Sequence, residues 1–208
     1  MRYTGPKKKL CRREGKNLFG SEKYSLDGSK RKLLGRNVGR MGLYGQQLRA
    51  KQSAKRMFGV SEKQFSNYFK KASRMKGNTL ENMQRLLEMR LDMAVLKANF
   101  ARTIMQARQF VSHAHFVING QKVDIPSYQI SVGDVIEVRE KLKDTPIYKN
   151  LQVESEEFLK TNKSGKVSAV EWIDADPKTY KITIKRLPEP TDFDQIIDMK
   201  KIVEFYSK

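Results

Sequence analysis

Residues 89–134 read MRLDMAVLKANFARTIMQARQFVSHAHFVINGQKVDIPSYQISVGD, and the reading of this stretch decides the fold. Thr103 stands three residues before Gln106, the spacing of a capping box, in which a threonine hydroxyl accepts from a first-turn amide while the glutamine reaches back to the helix start. A short helix is therefore expected from Ile104 to near Ser112. Beyond it, His115–Ile118 and Gln121–Ile125 are strand-like runs separated by Asn119-Gly120, the pair that most easily takes positive φ at both turn positions. This predicts a β-hairpin. After Gly133-Asp134, the run Val135–Arg139 places Ile136 and Val138 on one side and predicts another strand.

Outward from this stretch, the charge is uneven. The 208 residues carry a net +19; Met1–Lys76 holds 22 Lys and Arg against 4 Asp and Glu, and Gly77–Lys208 holds 20 against 19. A polyanionic partner is the simplest reason to tolerate such self-repulsion, because each phosphate neutralised by Lys or Arg releases a condensed counterion. A membrane is not expected as a partner: no run approaches the roughly 18 apolar residues of a spanning helix, and the first residues lack the apolar core of a signal peptide. The single cysteine, Cys11, can form no internal disulfide, which fits a reducing cytosol.

Residues 1–42 are basic, contain seven glycines and show little apolar periodicity, so this extension is expected to order on its partner. Leu43–Phe58 reads as a helix with Ala50, Ala54, Met57 and Phe58 on an apolar stripe; Arg49, Gln52 and Arg56 share another face, which Lys51 and Lys55 widen. Ser61 and Gln64 form a second capping box, opening a helix to about Met75. There Phe65, Phe69, Ala72 and Met75 have the spacing of a core face rather than of base-stacking aromatics, and Lys70 and Arg74 are the RNA candidates on the other side. Asn78-Thr79 caps a third helix, expected to run unbroken from Leu80 to Lys97. In the helix after Thr103, Gln106, Gln109 and His113 make a polar face beside Arg102, suited to phosphates and hydroxyls of folded RNA, while Arg108 crosses the back. His113 and His115 as a metal pair would have too few further ligands for zinc. Towards the end, Val170–Ile173 and the alternation of Tyr180, Ile182 and Ile184 predict strands returning to the same sheet, with Trp172 packed. Ile196, Met199, Val203 and Tyr206 predict a last amphipathic helix.

The order Arg90-Leu91-Asp92, Phe100-Ala-Arg102, Ala107-Arg108-Gln109, His113 and His115, the Asn-Gly hairpin, Pro126-Ser127-Tyr128 and Gly133-Asp134 resembles the RNA-binding module named after the fourth protein of the small ribosomal subunit. Ala114 departs from it, since that module usually has glycine between the histidines. The start (Arg2–Pro6, Arg12–Gly15), the stretch YGQQLRAKQSAKRMFGV at Tyr44–Val60 and the ending Val203–Lys208 are similar to the bacterial form of that ribosomal protein family, so the resemblance spans the chain. It implies an α+β fold. A basic extension (1–42) and a helical domain (43–88, completed by 191–208) flank a small α/β module (89–140) with a mixed or antiparallel sheet. Residues 141–190 continue the module's domain, and the C-terminal helix packs back on the helical domain.

The resemblance further implies a non-enzymatic, cytoplasmic constituent of the small ribosomal subunit. It would bind a helix junction in the 5′ domain of the small-subunit rRNA and nucleate assembly. It would also lie beside ribosomal proteins three and five where messenger RNA enters, and influence decoding accuracy. Some members also repress their own operon messenger. The rRNA contacts so implied, joined to those above, are Arg2, Lys7, Arg12, Arg13, Tyr44, Gln47, Arg49, Lys51, Gln52, Lys55, Arg56, Lys70, Arg74, Arg102, Gln106, Arg108, Gln109, His113, His115 and Asn119. Many members bind zinc through four cysteines; this chain has Lys8 and Cys11 where a Cys-x-x-Cys would fall, so neither zinc nor another cofactor is expected.

The competing reading is an RNA-modifying enzyme or a regulatory RNA binder carrying the same module. Arg-Leu-Asp also surrounds the catalytic aspartate of pseudouridine synthases, but in a separate domain after the module. Here Asp92 lies in the module's own first helix and reads as a structural partner of a nearby base or amide. Only about 68 residues follow the module, without a phosphate loop or a nucleophile-base arrangement.

Overall fold

The computed structural model describes residues 3, 5–19, 22–24, 26, 42–151, 153, 170–193 and 196–207. Contacts divide the chain into two units, one of residues 1–84 with 194–208 and the other of 85–193.

In the first unit, α1 (Lys7–Glu14), α2 (Leu43–Met57), α3 (Glu62–Arg74), the start of α4 (Thr79–Glu88) and the C-terminal helix (Met199–Tyr206) bury Leu10, Cys11, Ala54, Phe58, Phe65, Ala72, Met83 and Ile202. The capping box of α3 is reciprocal: Gln64 N donates to Ser61 Oγ at 3.3 Å and Ser61 N to Gln64 Oε1 at 3.2 Å. Phe65 is buried and Phe69 stacks on Tyr206, with ring centroids 4.9 Å apart, so both phenylalanines of α3 serve packing. Asp198 caps the C-terminal helix by accepting from Lys201 N at 3.2 Å, and this helix packs on α2 and α3, its Phe205 beside Tyr44.

Within the extension, Lys7–Glu14 is helical. A helix of eight residues has no stability by itself in water. Tertiary contacts hold it instead: Leu10 and Cys11 are buried, and Gly15 at φ +69° closes its C-terminus.

In the second unit, α5 (Leu91–Lys97) and α6 (Ile104–Ser112) cover an antiparallel five-stranded sheet of order β2-β1-β3-β5-β4. Its strands are β1 (Phe116–Ile118), β2 (Gln121–Val123), β3 (Val135–Val138), β4 (Ile173–Asp176) and β5 (Lys181–Ile184). Asn119 and Gly120 take φ of +50° and +81°, the two left-handed residues that a tight hairpin turn requires. Ala107, Val111, Phe116, Ile136, Val138, Trp172 and Ile182 form the core between helices and sheet. A short helix, α7 (Glu140–Lys143), and a helical segment at 146–151 follow β3.

Two boundaries differ from expectation. The helix predicted from Leu80 to Lys97 breaks at Arg90, whose backbone is extended (φ −80°, ψ 141°) and bridges Gln129. Ile130 N donates to Met89 O at 3.0 Å, Leu91 N to Tyr128 O at 2.9 Å and Asp92 N to Pro126 O at 3.2 Å. Three hydrogen bonds to the 126–130 loop thus replace helical ones, a tertiary override invisible to local periodicity. The fourth strand starts at Ile173 rather than Val170, because Trp172 already ends the ladder by accepting from Lys185 N at 2.9 Å.

Candidate nucleic-acid interface

In the first unit the cations of α2 are organised around two carboxylates. Glu14, at the end of α1, has its side chain 1% exposed and accepts from Arg56, from Arg49 at 3.4 Å and from Ser53 Oγ at 3.1 Å. Positions 49, 53 and 56 share one helical face, so α2 presents three donors to one buried anion. On another face, Lys51 donates to Glu62 Oε1 at 2.7 Å, Lys55 to Oε2 at 3.2 Å, and Tyr206 also to Oε1, at 2.9 Å. Burial pushes the Glu62 carboxyl up; the bonds from Lys51, Tyr206 and Lys55 outweigh it and hold the group below its ordinary value. Lys51 also lies 4.4 Å from the Phe205 ring centroid and is 7% exposed, and Gln47, 1% exposed, donates to Glu204 at 3.1 Å. Gln47 and Lys51 are thereby committed to the C-terminal helix and do not form an open surface, and Arg49, Lys55 and Arg56 reach solvent only in part.

Other first-unit candidates are more open. Arg13, Tyr44, Lys70 and Arg74 are exposed and Gln52 is partly so; Lys70 and Arg74 make no ion pair among the described residues. A shallow cleft of about 150 Å³ lies between Arg13, Lys16, Arg49, Asp198 and Lys201, with Glu14 in its wall. Lys7 points its ammonium at Phe19 and Tyr24, 5.7 and 6.0 Å from the centroids, and the Nε of Arg12 is buried. Arg2 lies outside the described residues.

In the second unit the polar face of α6 stands over a cleft of about 200 Å³ lined by Arg102, Gln106, Asn99, Asn150, Phe110 and Ile147. Thr103 Oγ1 accepts from Gln106 N at 3.2 Å, while Gln106 Oε1 accepts from Arg102 N at 2.8 Å, one residue earlier than in a standard box. That bond ties the Arg102 backbone to the helix start. Arg102, Gln109 and His113 are exposed.

Three module candidates are engaged inside the unit. Arg108 pairs with Asp92 at 3.2 Å. Asp92 is fully buried and also receives the fork of the fully buried Arg90, at 2.9 and 2.6 Å, so its carboxylate is an ion-pair partner of two arginines. Asn119 donates to Asp134 at 2.9 Å and accepts from Val135 N at 3.0 Å, stitching the hairpin to the turn before β3. The half-buried His115 stacks on Phe110, with centroids 4.9 Å apart and planes 10° apart, and its Nδ1 is 2.9 Å from Tyr148 Oη. Burial first, then the electrostatic influence of His113 and Arg139, hold its imidazole below the ordinary value.

No group of three or more His, Cys, Asp or Glu side chains among the described residues is placed to hold a metal ion. Cys11, on the buried side of α1, is the one cysteine of the sequence, so four cysteine ligands are not available from it.

Two families match consecutive parts of the chain: residues 2–88 match the family described as ribosomal protein S4/S9 N-terminal domain, and residues 89–136 match the S4 domain. Over 214 aligned residues, the chain is 44% identical to the small ribosomal subunit protein uS4 of Hahella chejuensis and 45% identical to that of Chromobacterium violaceum. It is 41% identical over 215 residues to the uS4 of Heliobacterium modesticaldum; each alignment covers 100% of this chain and 99% of the relative. The chain belongs to the uS4 family. Among residues that hold the uS4 fold here, sequence reasoning missed Glu14, Glu62 and Tyr148. The first two had a signal, since four acids among the first 76 residues are scarce enough to expect each to have cationic partners. Tyr148, one tyrosine in a charged stretch without periodicity, had none.

Proposed function

We propose that this chain is a structural constituent of the small ribosomal subunit and binds its rRNA, acting by binding and not by catalysis. Likeness to uS4 proteins over the full length of both chains carries this reading. The exposed basic side chains Lys70 and Arg74 and the polar face of Arg102, Gln106, Gln109 and His113 agree with it. The rRNA would meet two surfaces. In the first unit, Arg13, Tyr44, Gln52, Lys70 and Arg74 face phosphates, with the exposed parts of Arg49, Lys55 and Arg56 beside them. In the second unit, Arg102, Gln106, Gln109 and His113 contact backbone and hydroxyls, the mode by which folded RNA is read by shape. Gln47, Lys51 and Arg108 shape these surfaces from behind, and Asn119 holds the exposed hairpin turn in place.

The finer reading is an assembly protein of the cytoplasmic ribosome that grips a helix junction of the rRNA 5′ domain without zinc. It lies next to ribosomal proteins three and five where messenger RNA enters, contributes to decoding accuracy, and has its own operon messenger as a further ligand. Binding of the purified protein to a 5′-domain fragment and to an unrelated structured RNA of equal length, across a salt series, tests the core of it. Fragment-selective binding that weakens by several orders of magnitude as salt rises is expected. Equal affinity for the two RNAs would remove the junction-specific claim and leave only charge.

A further inference from the structure

Tyr148 is fully buried against Phe110 and Tyr180, and its hydroxyl lies 2.9 Å from Nδ1 of His115. A buried phenol O–H needs an acceptor, and among the described residues Nδ1 is the one in reach. If Nδ1 carried the proton, it would donate to the phenol oxygen, and the phenol hydrogen would be left unsatisfied in a dry site. The favoured arrangement has Tyr148 donating to a bare Nδ1 and the imidazole proton on Nε2. That nitrogen makes no hydrogen bond among the described residues and is not sealed from solvent. The ring cannot easily turn away, since Phe110 stacks on its face. Its backbone is pinned as well: Arg139 N donates to His115 O at 2.8 Å and Arg139 Nη1 to Ala114 O at 3.2 Å.

We propose that Tyr148 is a positioning residue that holds His115 as a neutral Nε2–H donor and aims that single donor at an acceptor oxygen of the bound RNA. This rests on the RNA-binding reading above and adds a residue and a protonation state to it. The titratable and charged groups facing the imidazole are Tyr148 itself, His113 with its ring 6.2 Å away, and Arg139. The two basic neighbours oppose a second proton, and so does Tyr148, because protonating Nδ1 removes its acceptor. The donor is therefore offered uncharged at neutral pH.

Long-range ¹⁵N imidazole spectra of the full-length protein decide the first half. Expected in the wild type is His115 with a protonated Nε2 and a bare Nδ1. In Tyr148→Phe, which keeps the ring, the titration midpoint of His115 rises by roughly half a unit or more and the Nδ1–H tautomer becomes detectable. For the second half, His115→Phe keeps the stack on Phe110 but lacks the donor, and its affinity for the 5′-domain fragment falls about 2–10-fold. A wild-type His115 protonated at Nδ1, a Tyr148→Phe spectrum and titration identical to wild type, or an undiminished affinity of His115→Phe would each overturn the proposal. Loss of fragment selectivity in the wild type itself would instead strike the ribosomal reading, and the spectra of the free protein would still decide what Tyr148 does.

Discussion

The backbone at Ala114 sits at φ +55°, in the left-handed region, between His113 and His115. A non-glycine residue there costs about 1–2 kcal/mol. Glycine would relieve that strain, but would also lose a buried methyl, about 0.8 kcal/mol, and would free the unfolded chain, about 0.4–1 kcal/mol. These terms nearly cancel. Ala114→Gly is accordingly expected to shift stability by no more than about 1 kcal/mol in urea denaturation, which explains how alanine is tolerated where the module usually has glycine. Ala114→Val has no such offset: a β-branched side chain at positive φ in a site 5% exposed should cost about 2 kcal/mol or more. A valine variant as stable as wild type would contradict the left-handed geometry. Asp92 lends itself to the same kind of test. Removing a carboxylate that pairs with a fully buried arginine leaves a buried uncompensated charge, so Asp92→Ala should lose about 3–5 kcal/mol. A nucleophile on an open surface would show no such loss.

At the scale of elements, capped starts and tight turns were legible and tertiary breaks were not. The α6 start at Ile104, the reciprocal Ser61 box and the Asn119-Gly120 turn follow from local side-chain chemistry, and each element begins where that chemistry places it. The break at Arg90 depends on a loop about 40 residues later in the chain, and apolar residues on all sides of Leu86–Val95 read equally well as one buried helix. The α1 helix was hidden for a related reason, since its anchors are two adjacent buried residues, Leu10 and Cys11, and the Glu14 carboxylate, too few to make an apolar stripe. The packing of the C-terminal helix gives a pH-dependent prediction. The Glu62 carboxyl is lowered on folding from an ordinary value of 4.5, so its contribution is complete above that value and is lost as pH falls through the lower folded value. With the Glu62 side chain 46% exposed, that contribution is small, about 0.5–1 kcal/mol. Glu62→Gln should therefore be less stable than wild type at neutral pH by about this amount, with the two converging as pH falls through the lowered folded value of Glu62. A difference that persists unchanged into acid would mean that the Lys51, Lys55 and Tyr206 contacts do not act through the charge of Glu62.

For the whole molecule, the net charge of +19 was legible, but which cations serve a polyanion was not. Composition counts Arg49, Lys51, Lys55 and Arg56 equally with Lys63, Lys70 and Arg74. The first four face Glu14 and Glu62, whereas the last three are exposed along one stripe of α3, at i, i+7 and i+11. A cation already neutralised within the protein releases fewer counterions from RNA, so the two sets should separate in two measurements. Changing Lys63, Lys70 and Arg74 together to glutamine should leave the urea midpoint nearly unmoved. It should flatten the plot of log affinity against log salt by about 2, since each phosphate contact contributes roughly 0.7–0.9. Changing Arg49 and Arg56 to glutamine should do the reverse, lowering stability because Glu14 is left buried without its charged partners, with a smaller change in slope. If both sets instead flattened the slope equally and neither moved the midpoint, the α2 cations would have to leave their carboxylates when RNA binds, and Glu14 and Glu62 would be placeholders for phosphate rather than permanent anchors.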